Sequence, residues 1–187
     1  MPMCVEIEAK LKVDSLADVE RRLNDLGAEF VAEQSQSDDH FDDANATLAT
    51  TDRCLRLRRQ SIGPDEKFFL THKGAKESSN FKKRREIELE ICDADVMSEL
   101  LAALGYKKVL VVEKTRRLWR FRGCEVALDH LPQIGDFVEI EGPDDEMIAK
   151  VQQSLGLAHL QHVAKSYAQM IAEKLNKPDV NPFTNKT

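Results

Sequence analysis

The chain has 187 residues, of which 42% are hydrophobic and 32% charged, with a formal net charge of −6. That length suits a single domain that buries its own core without disulfide or metal staples. The acidic balance excludes a general binder of nucleic acid or of anionic membranes, while leaving room for a local basic site.

Four cysteines, Cys4, Cys54, Cys92 and Cys124, are widely spaced with no CxxC pair, which argues against structural zinc and for reduced thiols. No apolar run approaches the length of a membrane span, and the opening "MPMCVEIEAK" has no secretory apolar stretch. The expectation is a soluble, cytoplasmic protein with no membrane and no nucleic acid among its partners. Residues 1–175 are expected to form one domain, and "NKPDVNPFTNKT", rich in Pro and Asn, a flexible tail over residues 176–187.

In chain order, "VEIEAKLKV" alternates apolar Val5, Ile7, Ala9 and Leu11 with charged Glu6, Glu8, Lys10 and Lys12. A period of two predicts a strand with one apolar and one ionic face. "DSLADVERRLNDLG" follows with Leu16, Val19, Leu23 and Leu26 at helical spacing, Asp14 or Ser15 as N-cap and Gly27 as stop. "RCLRLRRQ" sets Leu55 and Leu57 against Arg56 and Arg58, and "SIGPDE" is a turn by composition. "KFFLTHKG" places Lys67, Phe69, Thr71 and Lys73 on one parity.

"REIELEICDADVMSELLAALG" then repeats the opening grammar, an alternating strand leading into an amphipathic helix that closes in Leu-Gly, and "FVEIEGPDDEMIAKVQQSLG" repeats it again. Such recurrence suggests internal pseudo-symmetry. Between them, "VLVVEKTRRLWRF" groups Val112, Lys114 and Arg116, and "CEVALDHL" sets Val126 and Leu128 opposite Glu125, Ala127 and Asp129. The residues therefore predict an α+β protein, mainly antiparallel sheet with several covering helices.

The polar parity of these strands is dominated by Glu, Arg and Lys, where a solvent face usually mixes in neutral polar residues. An open sheet with one wet face accounts for simple alternation. The alternative is a sheet that curls until its ionic faces look inward and its edges disappear. Buried charges are costly unless paired or ligated. Arginine and lysine in such an interior would want a polyanion, and spare carboxylates would want a divalent cation. Two Glu at i and i+2 lie about 6–7 Å apart along a strand, within reach of one hydrated ion. No Gly-rich phosphate loop is present, so phosphate binding falls to side chains.

Several segments, in order, resemble the CYTH superfamily, the triphosphate tunnel metalloenzymes that include class IV adenylyl cyclases and thiamine triphosphatases. "EIEAK" matches the ExExK signature, "QSDDHFDD" is similar to QxDxYFD, "CLRLRR" to LRxR and "LTHKG" to LTxKG. "KKRREIELEI" resembles the RxExE strand, "EKTRRLWRF" the KxR strand, "LDHLPQIGDFVEIE" the LDxxxxLGxFxEIE strand, and "KSYAQMI" the late RSYxxLL helix. The set looks most like the CyaB-like branch of class IV adenylyl cyclases. His40 stands where the family usually has Tyr, and Lys165 where Arg is more frequent.

The resemblance implies a closed eight-stranded antiparallel β-barrel with helices outside. It implies a catalytic set of Glu6, Glu8, Lys10 and Asp129, and metal binding (Mg²⁺ or Mn²⁺) by Glu6, Glu8, Glu139 and Glu141, with Asp129 assisting. Phosphate would be gripped by Lys10, Arg56, Arg58, Lys73, Arg84, Lys114, Arg116 and Lys165, with Glu86 and Glu88 lining the tunnel. The implied activity is cyclisation of ATP to cyclic AMP and pyrophosphate. The alternatives are hydrolysis of tripolyphosphate, a nucleoside triphosphate or thiamine triphosphate, or a polyphosphate-binding module with little turnover. Outer β faces leave room for a homodimer. His72 and Trp119 fall on outward parities, and His159 and His162 have no acidic neighbour to complete a metal set.

Overall fold

The computed structural model describes residues 4–76 and 82–175, and the expected tail at 176–187 lies outside them. These described residues form eight strands and five helices. The strands are β1 (Cys4–Lys12), β2 (Glu29–Asp42), β3 (Cys54–Ile62), β4 (Asp65–Lys73), β5 (Lys82–Ile91), β6 (Lys107–Phe121), β7 (Cys124–Leu131) and β8 (Gly135–Glu141). The helices are α1 (Leu16–Asp25), α2 (Thr47–Thr50), α3 (Ala94–Ala103), α4 (Asp145–Ser154) and α5 (Tyr167–Lys174).

Every strand contact is antiparallel, in the order β1-β5-β4-β3-β2-β6-β7-β8, and β8 returns to pair with β1, closing a barrel. Closure leaves no sheet edge and forces alternate residues of every strand into the interior. "SIGPDE" forms the β3–β4 turn as its composition predicts.

The three strand–helix units share their caps as well as their sequence grammar. Ser15, Asp93 and Asp144 accept hydrogen bonds from the first-turn amides of α1, α3 and α4. Each of these helices ends on Leu-Gly, with Gly27, Gly105 and Gly156 at positive φ. Helix α5 begins on a full capping box between Ser166 and Gln169.

Most of the apolar core lies outside the barrel, between the strands and helices α1, α3 and α4. Helices α1 and α4 bury Leu23, Ile148 and Val151 against Leu11, Val126 and Ile140 of the β1, β7 and β8 outer faces. Trp119 is buried in the same layer, on the outward parity expected for it. Helix α3 packs Ala94 and Leu101 on Leu57 and Phe41, whereas α5 packs Tyr167 and Ile171 on Leu110, Leu131 and Phe137, which share the inward parity of Lys114, Asp129 and Glu139. Ile87 and Leu89 on β5 and Leu100 and Leu104 on α3 stay exposed. Burying most apolar side chains outside, and the rest beneath α5, leaves the remaining interior to the charges.

Candidate active site

The barrel encloses a cavity of about 780 Å³. Its wall carries Glu6, Glu8, Lys10, Arg56, Arg58, Lys73, Arg84, Glu86, Glu88, Lys114, Arg116, Glu139 and Glu141. Thirteen residues named from the sequence thus meet in one space, drawn from six strands, because each sits on the inward parity of its strand. Asp129 shares that inward parity and is fully buried against Arg116 and Tyr167. Lys165 is the exception. It precedes α5, its ammonium is exposed, and it pairs with Glu173 at 2.7 Å while its backbone carbonyl accepts from Lys10 Nζ at 3.3 Å.

The cations are held by carboxylates rather than left loose. Asp38 accepts both Nε and Nη2 of Arg58, at 2.6 and 2.7 Å, and lies 3.8 Å from Arg56. Burial opposes the Asp38 charge, but Arg58 and Arg56 outweigh it and hold the carboxyl far below the usual carboxylate range. Asp129 accepts both Nε and Nη2 of Arg116 at 2.7 and 2.6 Å, and Glu139 takes a further contact from the same guanidinium. Lys73 bridges Glu6 and Glu86, each at 2.8 Å. Arg84 reaches Asp52 at 2.9 Å. Such pairing fixes the direction of each guanidinium fork before any ligand arrives.

Two of those forks are incompletely used. The Nε atoms of Arg56 and Arg84 are buried with no hydrogen-bond acceptor among the described residues. A buried donor without an acceptor is costly, and an anion in the cavity removes that cost.

The opposite sign is crowded at one end of the cavity. The β1–β8 register sets Glu8 directly opposite Glu141, and the β7–β8 register sets Glu125 opposite the same residue. Like charges facing each other across strands repel. Burial, and then the charges of Glu6 and Glu8, push the Glu141 carboxyl up to about 7. Glu6, Glu8, Glu125, Glu139 and Glu141 together line a small recess here. Among the described residues, no three His, Cys, Asp or Glu side chains already converge as a ligand shell. The donor chemistry still fits: several carboxylate oxygens with too few cations match a hard divalent ion such as Mg²⁺ or Mn²⁺.

Helix α5 covers the basic side. The Tyr167 hydroxyl donates to Asp129 at 2.9 Å, and the Lys10 and Lys114 ammonium groups lie 4.0 and 5.0 Å from its ring centre. Burial and the neighbouring Arg116 push Lys114 down to about 7, against the pull of Asp129 and Glu139.

Sequence reading gave no role to Asp38, Glu125 or Tyr167. Glu125 shares inward parity with Asp129, and Asp38 sits inside the quoted "QSDDHFDD" segment, so parity was an available signal for both. Tyr167 lies in the quoted "KSYAQMI" segment, but a helix end does not announce which way it faces. His40 reaches the cavity wall, whereas His72 faces outward on β4 beside the packed Leu70.

A protein of Methanocaldococcus jannaschii named as a candidate adenylate cyclase is 33% identical over 137 residues, covering 73% of this chain and 76% of that one. Adenylate cyclase CyaB of Aeromonas hydrophila is 27% identical over 180 residues, covering 91% and 90%. The solved structure of a Pyrococcus horikoshii OT3 protein superposes with a TM-score of 0.79 at 30% identity, covering 90% of this chain and 99% of that one. A Hippeastrum protein described as having a dominant triphosphatase activity shares the fold, with a TM-score of 0.70 at 19% identity, covering 92% and 96%. The CYTH domain family model matches residues 5–167. With its eight strands closed around an ionic interior, this chain belongs to the CYTH domain family.

Proposed function

We propose that this chain is a divalent-metal-dependent enzyme that takes a triphosphate into the barrel, with cyclisation of ATP to cyclic AMP and pyrophosphate as its reaction. The observation that carries the proposal is the pair of buried guanidinium edges, Arg56 Nε and Arg84 Nε, that lack an acceptor inside a cavity ringed by further cations. Lys10, Arg58, Lys73, Lys114 and Arg116 complete the cradle, and their charge stabilises what develops on non-bridging oxygens as a P–O bond breaks. Glu6, Glu8 and Glu141, with Glu125 and Glu139 beside them, would hold the cation. When bound, that ion would supply Lewis-acid polarisation of the phosphoryl group.

A nucleotide is favoured over a bare phosphate chain by an amide cluster on the same wall. Gln36 donates to Gln34 and to Gln60, each at 2.8 Å, which leaves its own oxygen buried without a donor. A nucleoside carries hydroxyl and amino donors; fully ionised tripolyphosphate carries none. In the cyclase reading, the ribose 3′-hydroxyl attacks the α-phosphorus and pyrophosphate departs, with Arg and Lys side chains holding the chain in line.

The test is a product assay on ATP, tripolyphosphate and thiamine triphosphate with Mg²⁺ or Mn²⁺. Cyclic AMP with pyrophosphate, abolished by EDTA, is the expected result. Orthophosphate release in its place would make the protein a hydrolase. Tight binding of all three without turnover of any would overturn the enzyme reading.

A further inference from the structure

Cys54 stands apart from the phosphate-gripping set although it shares their wall. It opens β3 on the inward parity, two residues before Arg56, with Lys73 as its Cα partner on β4. Its Sγ lies 3.4 Å from Nδ1 of His40 on β2, and both side chains line the cavity. The thiol is half-buried and open to the interior. Cys124, by contrast, is packed in the outer core, and Cys92 is exposed beyond the end of β5.

A cysteine within reach of a histidine ring is the arrangement that generates a nucleophilic thiolate. Burial opposes a charge on Cys54, but His40, Arg56 and Lys73 outweigh it and hold the thiol below its ordinary range. The pair also depends on a feature particular to this sequence, since His40 occupies the position where the related motif has Tyr. A phenol there could not carry the compensating positive charge.

We infer that Cys54 and His40 form a thiolate–imidazolium pair at which hydrogen peroxide modifies the chain from within the cavity. The thiolate sulfur attacks one peroxide oxygen, so an S–O bond forms as the O–O bond breaks. Sulfur gives up two electrons and the peroxide accepts them. The departing hydroxide takes the His40 ring proton and leaves as water, and Cys54 remains as a sulfenic acid. The added oxygen sits beside Arg56, so it obstructs the phosphate cradle; this consequence, unlike the oxidation itself, rests on the proposed function.

The experiment exposes the full chain to equimolar hydrogen peroxide with dimedone present and follows adducts at each cysteine by peptide mass spectrometry. Cys54 is expected to take up dimedone at least about tenfold faster than Cys92 in the same sample. His40→Asn and His40→Gln should each slow Cys54 by about tenfold while leaving Cys92 unchanged, and continued protection of the buried Cys124 shows that the fold is intact. Equal rates at Cys54 and Cys92, or a Cys54 rate indifferent to both His40 variants, would overturn the inference. Because the readout is a mass adduct, it stands or falls separately from turnover: a fast-labelling Cys54 in a protein that processes no triphosphate sinks only the proposed function.

Discussion

Glu8 and Lys114 are both buried in the barrel wall, and burial acts on them through different neighbours. Glu8 faces Glu141 across the β1–β8 ladder, so Glu8→Gln removes one charge from a crowded set. Its thermal stability should be unchanged or slightly raised, while metal-dependent turnover falls on the order of 10²–10³-fold. A rate equal to wild type across a Mg²⁺ titration would remove Glu8 from the site. Lys114 is held near 7 by burial and Arg116, so above that pH the empty barrel carries it mostly neutral. A triphosphate favours the ammonium form, so binding at pH 8 should take up most of one proton at this site. Affinity should therefore weaken as pH rises above about 7. Calorimetry in Tris and in HEPES, compared with Lys114→Met, isolates that proton; equal uptake in the variant would assign it elsewhere. At this scale, alternation in the sequence was enough to gather the charges of each strand on one face. It could not say that Glu125 meets Glu141, because that depends on the register of two strands.

Among the elements, the turn from β8 into α4 is the tightest point. A Cβ on Gly142 would lie 2.7 Å from Cys124 Sγ and 3.0 Å from Ile148 Cγ1, both in the packed outer layer. Gly142→Ala should cost about 1–3 kcal/mol by overpacking, seen as a lower urea midpoint with an unchanged slope. A midpoint equal to wild type would mean the corner can relax. Helices α1, α3 and α4 were legible from apolar spacing, a capping residue ahead and Leu-Gly behind, and the observed caps match that grammar. The four-residue α2 was not, since a single turn has no period to detect. The direction of Lys165 was not legible either. It sits in the linker before α5, where no alternation links sequence position to facing, and it pairs outward with Glu173.

For the whole molecule, occupying the cavity should raise stability by mass action. At a ligand concentration about 100 times Kd the gain is about 2.7 kcal/mol, or roughly 5–10 °C in Tm for a chain of this size. Tripolyphosphate with Mg²⁺ should give such a shift in a thermal melt, and EDTA should reduce it; no shift at any concentration would argue that the interior does not take the anion. The sequence by itself determined seven of the eight strands (all but β2), helices α1, α3 and α4 and the parity of nearly every charged wall residue, because a period of two and a period of 3.6 are local properties of a chain. It also carried the resemblance to a barrel family, through ordered motifs rather than through any derivation of closure. Only the tertiary structure decided which face of the ribbon turned inward. That outcome required β8 to pair with β1 across most of the chain, and it required helices α1, α3 and α4 to bury the apolar parity on the outside. Register then chose the neighbours: Glu8 with Glu141, Asp38 with Arg58, Cys54 beside His40. Contacts between distant segments follow from closure and register, and neither is written in the local pattern of any one strand.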